Sequence, residues 1–189
     1  KECVFSMHDR DSIYTIPDAM RSEGLDRQIL SHLQLHNRVD AIAEDKARSA
    51  WNSYTTAITS TRKYNINIGI LGKYTSIRDA YASIDKAIEH ASTHLSANAN
   101  IKWLDVTNFN ADNADSKLEA ADLDGVIVPG GFGERGIEGK LASVKWAREH
   151  GIPFLGICLG FQMAVIDFAR NIVGLEDANS AEFDVDCKH

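Results

Sequence analysis

Gly156-Ile157-Cys158-Leu159-Gly160 sets a thiol between two glycines, with an apolar run on each side. The lead-in, 153–157, reads as a strand, and the lead-out, 159–169, as a helix. Gly-x-Cys-x-Gly at a strand-to-helix junction is the spacing of a nucleophile elbow. Such a turn crowds the backbone, and residues without Cβ fit beside it. The helix N-terminus next to the sulfur favours thiolate over thiol, and a thiolate held there can attack an acyl carbon. The commonest fate of a free cysteine is a buried structural thiol. The paired glycines and the junction favour the nucleophile.

A second string could complete that chemistry. Pro129-Gly130-Gly131-Phe132-Gly133 leaves an apolar run, 125–128, that reads as a buried strand. Acyl transfer needs donors aimed at the developing oxyanion. The N–H of Leu159, one residue past the thiol, is a natural donor, and the N–H of Gly131 is a good second. A glycine-rich string by itself also suits a plain tight turn.

These loops need a sheet to hold them. From Tyr64 on, strand and helix alternate. Strands are predicted at 65–71, 101–106, 125–128 and 153–157. Ser76 to Asp79 resembles a capping box, ahead of a helix with Tyr81, Ile84, Ile88, Ala91 and Leu95 on one face. A short polar helix is predicted over 111–121. A further helix carries the stripe Ile137, Leu141, Val144 and Ala147 and stops at Gly151. Residues 159–169 are apolar almost all round, which predicts a central, buried helix. Strands that each lead into a helix imply parallel pairing with right-handed crossovers, in a sheet covered on both faces. The fold class expected is therefore α/β with a doubly wound, mostly parallel sheet. Its active site belongs at the carboxyl ends of the strands, where loops 72–75, 129–138 and 158–162 converge.

Residues 1–60 read differently. Ser12 can cap a short segment, and helices are predicted over 17–22, 25–35 and 40–59, followed by a linker at 60–63. Trp51 is expected to pack against a neighbour. No strand is convincing here, so this part reads as a helical tail or connector.

The totals exclude several classes. The chain has 189 residues, 44% hydrophobic, with a net charge of -7. That balance, without a Lys/Arg cluster, argues against a nucleic-acid binder. Cys3, Cys158 and Cys187 are odd in number and widely spaced, which suggests neither a disulfide framework nor a zinc site. The cysteine usage fits a reducing, cytoplasmic setting. No apolar run is long enough to span a bilayer, so no membrane partner is expected. His90 and His94 are i,i+4 without an evident third ligand, and no metal is expected. The chain opens on Lys1-Glu2-Cys3 without an initiator Met, which is read as a fragment.

Four strings together resemble the CTP synthase family, and more broadly its class I glutamine amidotransferase domain, which has a flavodoxin-like sheet. They are Pro129–Gly133, Arg135-Gly-Ile-Glu-Gly139, Gly156-Ile-Cys-Leu-Gly-Phe-Gln162 and Asn179-Ser-Ala-Glu-Phe183. Asp11–Pro17 and Gly24–Asp26 are similar to the end of that family's amidoligase domain, and Asp79–Tyr81 to the start of its amidotransferase helix. The resemblance implies three parts: residues 1–38 end the amidoligase domain, 39–63 are a helical linker, and 64–189 are the N-terminal part of the amidotransferase domain.

The resemblance also implies an activity. Glutamine is hydrolysed to glutamate and ammonia, and the ammonia serves ATP-dependent amination of UTP to CTP in another domain. Cys158 is then the nucleophile, and Gly131 and Leu159 supply the oxyanion N–H groups. Gly160, Phe161, Gln162 and Glu182 hold glutamine, Glu182 with a carboxylate suited to its α-ammonium. Phe132 flanks the site. Arg135, Gly136 and Glu138 lie in a lid responsive to GTP, the allosteric activator. His8, Asp9 and Arg10 approach the ATP site. The family is a homo-tetramer that uses ATP and Mg2+ in the synthetase domain, with no cofactor in this segment.

Two features depart from the family pattern. Its triad is completed by a His and a Glu, two residues apart and far downstream of the cysteine, and no such pair occurs in these 189 residues. Its phosphate loop, magnesium ligands and UTP site precede the position of Lys1, and no Gly-x-x-x-x-Gly-Lys-Ser/Thr string is present. Two other readings stay open: a one-cysteine α/β hydrolase or isomerase acting on small carbonyl compounds, and an inactive fragment that occupies an assembly interface. A sheet lacking its last strands would leave an open edge and a half-covered helix.

Overall fold

The computed structural model describes residues 3–73 and 78–189, the side chain of Arg78 aside. The expected capping box at Ser76 and the loop residues Tyr74 and Thr75 fall outside them. The chain forms two compact units, Lys1–Thr61 and Arg62–His189.

The first unit is helical. A 3-10 turn, Ile13–Thr15, leads into α1 (Ile16–Ser22), followed by α2 (Leu25–His32) and α3 (Ala41–Thr59). Ser12 Oγ accepts from the Tyr14 N–H at 3.4 Å, the expected cap. Asp40 caps α3 by accepting from the N–H groups of Ile42 and Ala43, at 3.0 and 3.1 Å, which satisfies two of the helix's orphan donors. α2 ends three residues before the expected Leu35, because Gln34 takes a φ of +55° and turns the chain. Trp51 packs against Tyr14 and Tyr54, with ring centroids 6.2 and 6.0 Å away.

The second unit is an α/β fold. Its elements are β1 (Tyr64–Gly72), α4 (Ala82–His94), β2 (Ala97–Asp105), α5 (Ala114–Glu119), β3 (Gly125–Val128), α6 (Ile137–Glu149), β4 (Phe154–Gly156) and α7 (Leu159–Phe168). The strand order is β2-β1-β3-β4 and every pair is parallel. This is the flavodoxin-like order, whose crevice lies at the carboxyl ends of the strands.

The strands alternate between two faces. Leu71, Val126, Val128 and Phe154 join Leu118, Leu141, Val144 and Met163 in the main core, under α5, α6 and α7. On the other face, Ile66, Ile68, Ile127 and Leu155 line a groove of about 290 Å³ beside Ile88 and Ala91 of α4. The stripe expected on α6 is buried throughout, with Ile137, Leu141, Val144 and Ala147 at 7% exposure or less.

The structure corrects three expectations. The sheet is not covered on both faces along its whole width: Leu155 on β4 is 54% exposed. α7 is not buried all round. Leu159, Met163 and Ile166 face the core, whereas Phe161, Val165 and Phe168 are more than half exposed. Leu95, at the C-cap of α4, is 67% exposed yet lines the same groove as Ile88 and Ala91, on the expected face. The helix expected from Ala111 begins at Ala114, because Asn110 first accepts from the N–H groups of Asp112 and Asn113, at 3.0 and 3.1 Å. Such side-chain bonds compete with helix formation.

Candidate acyl-transfer site

Cys158 sits between β4 and α7 with φ +53° and ψ −110°, a backbone state unusual for a residue with a Cβ. The flanking glycines make this turn possible. A Cβ at Gly156 would stand 2.6 Å from backbone atoms of Gly160 and Phe161, and one at Gly160 would overlap the Val128 carbonyl oxygen. The chain therefore doubles back against β3 and β4 in a space that admits no side chain. The thiol ends exposed, at the N-terminus of α7.

The glycine string lies beside it. A Cβ at Gly130 would be 3.4 Å from Cys158 Cβ and 3.9 Å from its Sγ. Gly131 and Leu159 donate no backbone hydrogen bond among the described residues. Two donors are thus left unspent, one on the residue after the Gly130 contact and one on the residue after the thiol; oxyanion stabilisation calls for free donors of this kind. Lys73, at the end of β1, donates through Nζ to the Phe132 carbonyl, so the described parts of the three expected loops do meet. Phe132 itself is 84% exposed.

The remaining candidates sit at varying remove. Gly160 is buried, while Phe161 and Gln162 are exposed on the first turn of α7. Glu182 is exposed; its backbone N–H donates to Ser180 Oγ at 3.2 Å, and its carboxylate has no partner among the described residues. No observed contact brings Glu182 to Cys158. Its neighbours Asn179 and Phe183 share a recess of about 290 Å³ with Glu134, Gly136 and Glu138, which draws the Asn-Ser-Ala-Glu-Phe string to the Arg135–Gly139 loop. Gly136 enters α6 with φ +85°, and Arg170 pairs with Glu138 at 3.8 Å. His8, Asp9 and Arg10 are exposed in the first unit.

Cys158 Sγ makes no hydrogen bond to a histidine among the described residues. His150 bonds to the Trp146 carbonyl, and His189 lies 3.9 Å from Asp177. Cys3, by contrast, has a histidine: its Sγ is 3.2 Å from His32 Nε2 on α2.

Sequence reasoning missed Lys140. It is 1% exposed, with Nζ 3.4 Å from the Pro129 carbonyl oxygen. Burial and, to a smaller extent, nearby Lys73 lower its pKa to about 8, against an opposing contribution from Cys158. The available signal was positional, since Lys140 is three residues after Ile137 and four before Val144, on the buried stripe of α6.

The order of the sheet and the strained elbow define an α/β protein with an exposed cysteine at a strand-to-helix turn. Comparison with known proteins narrows this. The family described as glutamine amidotransferase class-I matches residues 76–189, and the chain belongs to that family. A CTP synthase of Haloarcula hispanica is 41% identical over 188 residues, which is all of this chain and 32% of that protein. A CTP synthase of Methanopyrus kandleri is 40% identical over 189 residues, again all of this chain and 34% of that protein. The chain thus spans about a third of the length of these relatives. Among solved structures, the glutaminase domain of Trypanosoma brucei CTPS with bound acivicin is similar, with a TM-score of 0.61 and 40% identity. That match covers 66% of this chain and 48% of the other.

Proposed function

We propose that the chain carries the nucleophile half of a glutaminase site that supplies ammonia for CTP formation. The observation that carries this is the exposed Cys158 at its strained elbow, flanked by the unspent N–H groups of Gly131 and Leu159. In this reading Cys158 Sγ attacks the amide carbon of glutamine, and the carbonyl oxygen gathers charge against those two donors. Collapse breaks the C–N bond and releases ammonia, which leaves with an added proton. Water then cleaves the thioester to glutamate. Gly160, Phe161 and Gln162 border the substrate, and Glu182 meets its α-ammonium. The proton transfers fall to the downstream His and Glu of the family pattern.

The wider assignment rests on similarity to the CTP synthases. Residues 1–38 would end a synthetase domain, 39–63 link it, and 64–189 begin the amidotransferase domain. ATP, UTP and Mg2+ would be used by the synthetase portion, which His8, Asp9 and Arg10 would border. GTP would act through Arg135, Gly136 and Glu138. The assembled enzyme would be a cytoplasmic homo-tetramer. No helix among the described residues is long and apolar enough to cross a membrane.

Labelling tests the reading, because Cys3 and Cys158 are both exposed. Iodoacetamide should modify both. A diazo-ketone analogue of glutamine should modify Cys158 alone, and excess glutamine should protect it. Equal labelling of Cys3 and Cys158 by the analogue, without protection, would exclude a glutamine site.

A further inference from the structure

Lys140 is the largest fully buried side chain among the described residues. Burying an ammonium is expensive, and a close carboxylate usually compensates. Lys140 has no carboxylate partner among the described residues. Packing alone would be served better by an apolar side chain of similar volume.

What it touches is the oxyanion string. Its Nζ donates to the Pro129 carbonyl at 3.4 Å and would lie 3.6 Å from a Cβ at Gly131. Cys158 closes on the same segment at Gly130. Lys73 Nζ takes the Phe132 carbonyl. The two carbonyls that bracket Gly130 and Gly131 are therefore each held by an ammonium. Glycines have no side chain with which to hold themselves, and their backbone is the freest in the chain.

We propose that Lys140 is a positioning residue for this site: it pins the Pro129 carbonyl and thereby aims the Gly131 N–H at the carbonyl oxygen of the acyl group that Cys158 attacks. The inference rests on the acyl-transfer reading of Cys158. The titratable groups that face it are Lys73 from the β1 end and Cys158 from the elbow.

The full chain allows a test with separable arms. In Lys140→Met, the backbone amide order parameters of Gly130 and Gly131 should fall to about 0.6 or below, while the amides of Val126 and Val128 of β3 keep their protection from exchange. Acylation of Cys158 by a γ-glutamyl thioester passes through a tetrahedral oxyanion and should slow at least tenfold. Alkylation by iodoacetamide is a direct displacement that needs no oxyanion donor, and should stay within about twofold. A second arm leaves Lys140 in place. In Cys158→Ser, the Gly130 and Gly131 amide shifts should titrate with a midpoint near 8, which decides the matter if Lys140→Met loses its β3 protection. Unchanged order parameters at Gly130 and Gly131 in Lys140→Met, or flat amide shifts across that pH range, would overturn the proposal. Equal slowing with thioester and iodoacetamide would overturn it too, by showing a general effect on the thiol. If the loop loosens and its shifts titrate, but the unmutated chain reacts with iodoacetamide and never with the thioester, the clamp stands and the glutamine reading falls.

Discussion

Gly160 lies so close to β3 that a Cβ there would overlap the Val128 carbonyl oxygen and stand 2.7 Å from its carbonyl carbon. The obstacle is backbone in the middle of the sheet, so nothing can move aside cheaply. Gly160→Ala should therefore push α7 off β3 and destabilise the chain by roughly 3 kcal/mol, the upper end of ordinary overpacking. Because α7 carries the elbow, iodoacetamide should also react more slowly at Cys158 and unchanged at Cys3. Urea unfolding and peptide mapping after alkylation check both. Gly151 has no atom within 4 Å of where its Cβ would be, but its φ of +66° disfavours a side chain. Gly151→Ala should thus cost only about 1 kcal/mol, which separates strain from collision.

The elbow itself stores strain. At φ +53° and ψ −110°, Cys158 occupies a region costing on the order of 1–3 kcal/mol for a residue with a Cβ. Removing that Cβ relieves it, and the added entropy of an unfolded glycine returns part of the gain. Cys158→Gly should be more stable than the unmutated chain by about 1 kcal/mol, and inert toward thioester. Denaturation midpoints measure this directly. A loss of stability would mean that the side chain contributes packing that outweighs its strain.

Lys140 makes the same trade through charge. Its pKa falls from 10.5 in the unfolded chain to about 8 in the fold, so the folded state pays for a desolvated ammonium below pH 8. Between pH 8 and 10.5 the unfolded chain holds a proton that the folded chain has released. Raising pH through that window therefore increases unfolding free energy. The difference amounts to roughly 3 kcal/mol. Lys140→Met should be the more stable protein at pH 7 by about that much, and the gap should close by pH 10.5. Paired urea titrations at pH 7, 9 and 10.5 give the answer; a gap that does not change with pH would point to packing in place of charge.

Why some of this was legible in the sequence, and some not, follows from what local patterns encode. β3 and the α6 stripe were readable because period and apolarity agree with burial, and the elbow because its glycines answer to steric crowding within a few residues. The first four residues of β2, Ala97-Asn-Ala-Asn, have no strand character. They are extended because Asn98 and Asn100 donate across the sheet to the Asn65 and Asn67 side chains, at 3.1 and 3.0 Å, and that ladder exists only once the register is set. Lys140 was invisible for a related reason. A lysine on a helix defaults to solvent, and only the packed sheet shows that this one has nowhere to go. Glu182 was singled out by its string, yet its carboxylate has no partner among the described residues.

α7 shows the opposite limit, since an all-apolar helix says that it will be covered but not by what. Phe161, Val165, Phe168 and Ile172 recur at helical spacing, and each is more than half exposed. Leu155, on the edge strand β4, adds to the apolar surface, and only three residues of that edge are strand. Apolar stripes of this kind next to an unpaired edge promote association. The chain should therefore grow in apparent mass between about 1 and 100 μM in light scattering. Replacing two stripe residues by charges, Val165→Lys with Phe168→Glu, should hold it monomeric. Both positions point to solvent, so the Cys158 environment should be preserved and iodoacetamide reactivity unchanged. A monomer at all concentrations before mutation would mean that the stripe is tolerated in water. Concentration-dependent mass that survives the charges would move the contact to the groove lined by Ile66, Ile127 and Leu155 on the other face of the sheet.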